Sequence, residues 1–514
     1  MVCMVSVKMV MVVVVVMVGM MVGMGEVVVA GDPTCSQQYV RPELTPKELG
    51  TVMGSTWAAL DKASSAFRVS QGAPSAAVLT VSWEGQTVHT QFDGVANTSD
   101  PTSVPDGNTI FRTGSAGKLF PTILALMAAE DGKLPRGLAT TFADLNPKFS
   151  MIDPATQEAC DGPSVGSTLY QMGGLPREAP FDYPIETPTS DVLERLQDEW
   201  LLAPEWEIPM YSNLGFALIG HLVSEYAYDG NFSDVFHQSF VAPLQLSRTG
   251  LVFTPEVVSE MAVGYLAPND PIPFPLQFGW VAPAGQMYIS SNDFSKFANV
   301  IARAEMGIST PGFFLTPSAA RRMFGVHQTN DPNQTGFGSP WEEQYIAEMW
   351  VKCKGGNAEV YSALVCFVPE YDLSLTLLWN GAVDELAFAV TAWELILPAF
   401  RDVLAKYRPV FTPPAPASVY VGNYTSPSEF GSDFAIVELP NTELAFRLGG
   451  VDVPLQWHAK NRAQIRQPVP MIGACFNWEL TGVWNAYLVF RFDADGSAVS
   501  AVTTDMFATE YMRS

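Results

Sequence analysis

Positive charge is scarce in this 514-residue chain: 28 Lys and Arg stand against 53 Asp and Glu, a formal net charge of -25. A surface of that sign repels a polyanion, which argues against nucleic acid as a partner. Histidine is scarcer still, and His89, His221, His237, His327 and His458 are scattered, with no His-Glu-x-x-His and no Cys-x-x-Cys. Neither a metal site nor a cofactor is expected. Cysteine is too sparse for a dense disulfide framework. Setting Cys3 aside with the leader, Cys35, Cys160, Cys353, Cys366 and Cys475 leave room for one or two bridges, with no readable pairing. Charged residues make up only 16% of the chain while 48% are hydrophobic, which excludes a disordered chain and suits a large buried core. There is no obvious internal repeat.

What is present begins at the N-terminus. An uncharged run of Met, Val and Gly from Met9 to Gly25 follows Lys8 and precedes Val28-Val29-Ala30. This predicts a signal peptide or membrane anchor over residues 1–30. The run is slightly short for a spanning helix. Asn97, Asn231, Asn333 and Asn423 head Asn-x-Ser/Thr sequons, which fit passage through the secretory route. The expected location is therefore secreted or membrane-anchored extracellular, with a tether through the N-terminus. Oligomeric state is not readable.

Along the rest of the chain, Ala76–Trp83 and Gln86–Phe92 read as a hairpin about Glu84-Gly85. Apolar spacing predicts helices over Leu119–Glu130, Leu214–Tyr226, Asn292–Ala304 (capped by Ser291) and Leu386–Val403. Val360–Phe367 and Leu373–Leu378 read as strands about the turn Pro369–Asp372. Pro413-Pro414-Ala415-Pro416 marks a Pro-rich linker over 411–417, between a main domain (31–410) and a β-rich C-terminal domain (418–514).

Three blocks carry chemistry. In Phe111-Arg112-Thr113-Gly114-Ser115-Ala116-Gly117-Lys118, Ser and Lys are three apart at a helix start and so share a face. Serine needs an adjacent base to act as a nucleophile, and a lysine can serve once burial or a second cation lowers its pKa. The free N–H groups of the helix start favour a developing oxyanion. Tyr211-Ser212-Asn213 precedes another helix. A tyrosine near lysines can act as a base, whereas Asn213 can equally be a helix cap. In Lys352-Cys353-Lys354-Gly355-Gly356-Asn357, alternation sets both lysines on one face and makes Cys353 a core residue rather than a nucleophile.

In this order the blocks resemble the serine β-lactamase and penicillin-binding-protein superfamily, nearest to class C β-lactamases and related esterases, over roughly Ser75 to Pro409. Phe111–Lys118 is similar to its Phe-Arg-x-Gly-Ser-x-x-Lys helix, Tyr211–Gly215 to its Tyr-Ser-Asn-x-Gly block, and Lys354–Asn357 stands at its Lys-Thr-Gly. The resemblance implies an α+β fold: an antiparallel sheet flanked by helices, beside a mostly helical lobe. It implies Ser115 as nucleophile, Lys118 and Tyr211 as bases, and an oxyanion hole from the backbone N–H groups of Ser115 and Asn357. Asn213, Lys354 and Gly356 would contact a small-molecule or peptide acyl substrate. Two departures stand out. The stretch Thr168–Glu178 is about four residues shorter than its counterpart, roughly one helical turn, so the pocket wall is rebuilt or carries a deletion. Gly355 replaces a hydroxyl residue.

Gly162-Pro163-Ser164-Val165-Gly166 fits the Gly-x-Ser-x-Gly elbow, but polar Asp153–Asp161 and Pro163 suit a loop. Ser291-Asn292-Asp293 is better explained by helix capping than as a substrate-binding motif. The leading expectation is a serine hydrolase acting through an acyl-enzyme on an ester, amide or peptide. Its alternatives are a catalytically degenerate binding or scaffold protein and, more distantly, an assembly module built on the C-terminal domain.

Overall fold

The computed structural model describes residues 42–513 except 71–75, 179–186, 268–269, 273, 306–307, 309, 311–312, 314, 326–334, 408–414, 426–432, 441–442, 449, 460–461, 466–486 and 505–506. The predicted leader, Cys3, Cys35, Cys475, the Asn333 sequon and the Pro413-Pro414 pair lie outside the described residues. The chain divides into two compact units, Pro42–Tyr407 and one that holds Arg408–Ser514.

The first unit is organised by a seven-stranded antiparallel sheet. Its strands are β1 (Ala76–Trp83), β2 (Gln86–Gly94), β3 (Thr335–Phe337), β4 (Glu342–Ile346), β5 (Met349–Ala358), β6 (Tyr361–Val368) and β7 (Leu373–Trp379), in the order β2-β1-β7-β6-β5-β4-β3. Strands β1, β6 and β7 are buried along their whole length. In β7, Leu373, Leu375, Leu377 and Trp379 take one face and Ser374, Thr376 and Leu378 the other, and all are buried because both faces are covered. Helices α1 (Gly54–Ser70) and α5 (Glu385–Lys406) cover one face, where Phe67 stacks 6.2 Å from Trp379 and Phe388 meets both rings at 5.4 Å. Full burial of a ring such as Phe388 contributes about 1.5–3 kcal/mol, while Phe67 is half-buried. Helix α4 (Ser291–Glu305) crosses β1 and β7 through Ser291 Oγ, 3.2 Å from Thr80 Oγ1, and Ser374 Oγ, which donates to Asn299 at 3.2 Å.

The lobe between β2 and α4 is mostly helical. Helix α2 (Leu119–Glu130) is buried on nearly every side and packs against α3 (Asn213–Tyr228). Phe120 lies 4.3–5.2 Å from the rings of Phe297, Phe236 and Phe240, which fastens the lobe to α4. The observed fold is thus the expected α+β arrangement. The predicted caps are each one residue late. Ser290 Oγ accepts from Asp293 N at the head of α4, and Ser212 Oγ accepts from Gly215 N at the head of α3. That leaves Ser291 and Asn213 inside their helices.

In the second unit, β8 (Gly422–Thr425), β9 (Phe434–Glu438), β10 (Leu444–Leu448), β11 (Val451–Ala459), β12 (Arg462–Ile465), β13 (Tyr487–Phe492), β14 (Val499–Thr504) and β15 (Phe507–Arg513) follow one another into a closed antiparallel barrel. Tyr424 pairs with Arg513 to shut it. Eight strands enclose an interior that side chains can fill. Here Tyr420, Tyr424, Phe434, Phe446, Trp457, Phe490 and Tyr511 fill it.

Among the described residues no helix is long and apolar enough to cross a membrane, and no cluster of His, Cys, Asp and Glu could hold a metal ion.

Candidate active site

Ser115 sits in a 3₁₀ turn, Gly114–Lys118, that runs straight into α2. The turn is pinned from one side by Thr113 N, which donates to Met287 O at 2.9 Å. From the other side β5 lies on it without side chains between. Gly114 adopts φ +50°, and a Cβ there would fall 2.6 Å from the Asn357 backbone; a Cβ on Gly356 would fall 2.1 Å from Thr113 O. Both positions need glycine because two backbones touch. From Ile110 to Ala128, Ser115 alone is not buried.

Lys118 is fully buried, and a buried ammonium without partners costs several kcal/mol. Its Nζ has Ser115 Oγ at 3.0 Å, Asn213 Oδ1 at 2.7 Å and Ala284 O at 2.8 Å, and the Tyr211 hydroxyl hydrogen-bonds it as well. Burial pushes the amine below its ordinary range, with the charge of Lys354 assisting and Tyr211 opposing. The Tyr211 ring lies 4.9 Å from Lys118 Nζ and 5.4 Å from Lys354 Nζ. Burial raises the phenol, but the two ammonium groups together outweigh it and hold Tyr211 below its ordinary value. Lys354 is held by Glu342 Oε1 at 2.5 Å and by Gly355 O at 2.8 Å. Burial alone would lower this amine; Glu342 and Tyr211 raise it instead.

The stretch Gln171–Glu178 carries the Tyr211 block. Met210 N donates to Gln171 O (2.6 Å), Ser212 N to Gln171 Oε1 (2.9 Å) and Asn213 N to Arg177 O (2.7 Å). The shortened segment is therefore a folded wall, bonded to the residues it positions. Glu178 accepts from Asn213 Nδ2 at 2.9 and 3.1 Å, and the Arg177 guanidinium stacks 4.8 Å from the Tyr211 ring.

The edge of β5 supplies a second backbone donor. Cys353 and Cys366 face each other across β5 and β6 with Cα atoms 4.0 Å apart and are joined by a disulfide. So close a pair is of the non-hydrogen-bonded kind, and such pairs alternate along an antiparallel ladder. Counting on, Gly355 and Asn357 also aim their N–H groups away from β6. Gly355 N indeed donates to Glu342 Oε2 at 2.9 Å. Asn357 N points the same way, beside Ser115, beyond the point where β4 ends at Glu342. The Asn357 side chain is turned elsewhere, Nδ2 donating to Glu385 at 2.9 and 3.0 Å.

Every residue picked from the sequence (Ser115, Lys118, Tyr211, Asn213, Lys354, Gly356, Asn357) thus falls in one place. Cys353 is a core residue, as alternation implied, and half of a disulfide. Ser164 caps the short helix Val165–Leu169 and bonds Glu205, which accounts for the elbow-like pattern. His221 is half-buried, stacked on Trp280 with Nε2 2.7 Å from the Trp280 carbonyl, and desolvation pushes its pKa down to about 4, which makes it a structural residue. Sequence reasoning missed Glu342, Glu385 and Glu178. The only hint of them was Gly355, whose missing side chain leaves space for something else.

The family model described as "Beta-lactamase" matches residues 58–397. "Putative beta-lactamase-like 1" of Homo sapiens is 28% identical over 392 residues, 71% of this chain and 74% of that protein. "Beta-lactamase-like protein" of Arthroderma benhamiae is 24% identical over 374 residues, 65% of this chain and 58% of its own. Among solved structures, an octameric penicillin-binding protein homologue from Pyrococcus abyssi aligns over 89% of this chain and 99% of its own, with TM-score 0.55 and 15% identity. A class C β-lactamase aligns over 67% and 96%, with TM-score 0.55 and 17% identity. At these identities the structures speak for the fold alone.

Proposed function

The chain belongs to the beta-lactamase family, and from that premise we propose that it is a working serine hydrolase that acylates Ser115 and then releases the acyl group to water. One observation carries the reading: the buried Lys118 amine lies 3.0 Å from Ser115 Oγ, with carbonyl oxygens of Asn213 and Ala284 and the Tyr211 hydroxyl as its other partners. Carbonyl oxygens accept and cannot donate. A neutral amine has two protons and one lone pair. With Lys118 as a neutral amine its two protons satisfy Asn213 and Ala284, and its lone pair is left for a hydroxyl, that of Ser115 at 3.0 Å or that of Tyr211, which hydrogen-bonds the same amine.

In the acylation step Ser115 Oγ attacks the carbonyl carbon of an ester, amide or peptide, and its proton passes to the Lys118–Tyr211 pair. The oxyanion accepts the N–H groups of Ser115 and Asn357. The bond to the leaving group breaks, and the leaving group takes the proton. Water then attacks the Ser115 ester, losing its proton to the same pair, and the released acid leaves Ser115 as a hydroxyl. Asn213 and Lys354 flank the Lys118–Tyr211 pair, and Gly356 lets the edge of β5 close on the Ser115 turn.

A fluorophosphonate probe tests this. Labelling that disappears in Ser115→Ala supports it, and folded wild-type protein that resists the probe overturns it.

The same reading extends to location. A disulfide within the main sheet belongs to an oxidising compartment, and Asn231 and Asn423 are exposed. Secretion or an extracellular membrane anchor is supported by these features, and a glycosidase mobility shift on protein from secreting cells checks it.

A further inference from the structure

We infer that the site selects substrates by charge, taking an acyl compound whose leaving group carries an ammonium before a neutral one, and either before one carrying a carboxylate. The inference rests on the hydrolase reading above and names its substrate class.

The cations around Ser115 are already engaged. Lys118 is engaged by Ser115, Asn213, Ala284 and Tyr211. Lys354, with a side chain 1% exposed, is bound to Glu342 and to its neighbour's carbonyl. Arg177, its side chain 67% exposed, lies 3.3 Å from Glu178 and against the face of Tyr211, so its charge is offset by the carboxylate beside it.

The anions are placed differently. A Cβ on Gly355 would fall 2.5 Å from Glu385 Oε1, so at this point on the strand edge a carboxylate occupies the space a side chain would fill. Asn357 Nδ2 holds that carboxylate there, one residue beyond Gly356. Glu178 sits on Asn213 Nδ2 and against Arg177, with its side chain 43% exposed. Glu342 stands between Lys354 and Gly355 N.

In the form that accepts the Ser115 proton under the hydrolase reading, a neutral Lys118 amine beside a neutral Tyr211 phenol, this pair carries no net charge. What remains is Lys354 and Arg177 against Glu178, Glu342 and Glu385. Protonation of Glu385, which its burial favours, only brings the sum to balance; no cation is left over for a substrate carboxylate. The chain's net charge of -25 adds a long-range field of the same sign. Like charges brought together here are penalised, and the penalty is screened by salt.

The test uses the full chain and three acetyl thioesters of equal length, whose leaving thiols end in trimethylammonium, tert-butyl or carboxylate. Thiol release gives kcat/KM, and intact mass reports acetylation of Ser115. The expected order is ammonium, neutral, carboxylate, with about tenfold or more between the ends at low ionic strength and a smaller spread at high salt. Glu342→Gln should raise kcat/KM for the carboxylate thioester relative to the neutral one. Glu178→Gln, an exposed change, should do the same if Glu342→Gln fails to fold. A carboxylate thioester turned over as fast as the neutral one, or a ratio unmoved by both variants, overturns the charge selection while leaving the hydrolase standing. Failure of all three to acetylate Ser115 overturns the hydrolase reading and the charge selection with it.

Discussion

Gly356 lies against the backbone of Ser115 so closely that a Cβ at position 356 would fall 2.6 Å from the Ser115 nitrogen. The nucleophile and the strand edge are therefore held together by main chain, which is stiffer than any side-chain contact. Gly356→Ala should push β5 off the turn and separate the Ser115 and Asn357 N–H groups. We expect fluorophosphonate labelling to slow by about 100-fold or more, with circular dichroism retained. An unchanged labelling rate would show that the two donors do not act together.

The pH dependence of acylation follows from the charges on Lys118 and Tyr211. Acylation needs this pair to be able to accept a proton, so its rate should rise with pH through the pair's titration. Lys354 lowers both groups, so Lys354→Met should move the rising limb to higher pH. Glu342 raises both, so Glu342→Gln should move it to lower pH. Stopped-flow acylation across pH checks both directions, and shifts of the opposite sign would remove this pair from the role of base.

How much of this was legible in the sequence depends on distance along the chain. Ser115 and Lys118 are neighbours on one turn, and Tyr211 and Asn213 lie together at one helix start, so local spacing exposes them. Glu342 and Glu385 reach the same site only because β4 returns antiparallel beside β5 and α5 begins next to it, and no local pattern encodes that register. The barrel has the same asymmetry. Its short alternating strands are visible, while the closure of β8 on β15 joins the two ends of the unit. The caps slipped by one residue because Ser212-Asn213 and Ser290-Ser291 each offer two good capping side chains in a row.

The disulfide between Cys353 and Cys366 spans 13 residues at the centre of the sheet. Replacing both cysteines by alanine should lower stability by about 2–3 kcal/mol, read from urea unfolding. No loss of stability, or no mass change on reduction, would mean the bridge is not formed.

Asp372 predicts a pH effect on folding. Its side chain is 2% exposed and both carboxyl oxygens lack hydrogen-bond partners. Burial pushes its pKa up to about 7, and Arg303, 3.8 Å away, only partly opposes this. Because the folded value lies above the ordinary 3.8, the protein binds this proton more tightly when folded. Stability from this group is present below about pH 4 and is lost as pH rises through about 7. Asp372→Asn keeps the left-handed φ of +49° that Asn tolerates well. It should leave the melting temperature less dependent on pH between 4 and 8, roughly. An equally steep dependence in the variant would assign it to another group.

The central claim is that the Lys118 lone pair activates Ser115. It is tested most directly by the intact mass of the full chain after brief exposure to a fluorophosphonate, with Ser115→Ala and Lys118→Met alongside. The account predicts one adduct on the wild type, none on Ser115→Ala, and labelling slowed by about 100-fold or more in Lys118→Met. Equal labelling of the wild type and Lys118→Met, or an adduct that survives in Ser115→Ala, would contradict it.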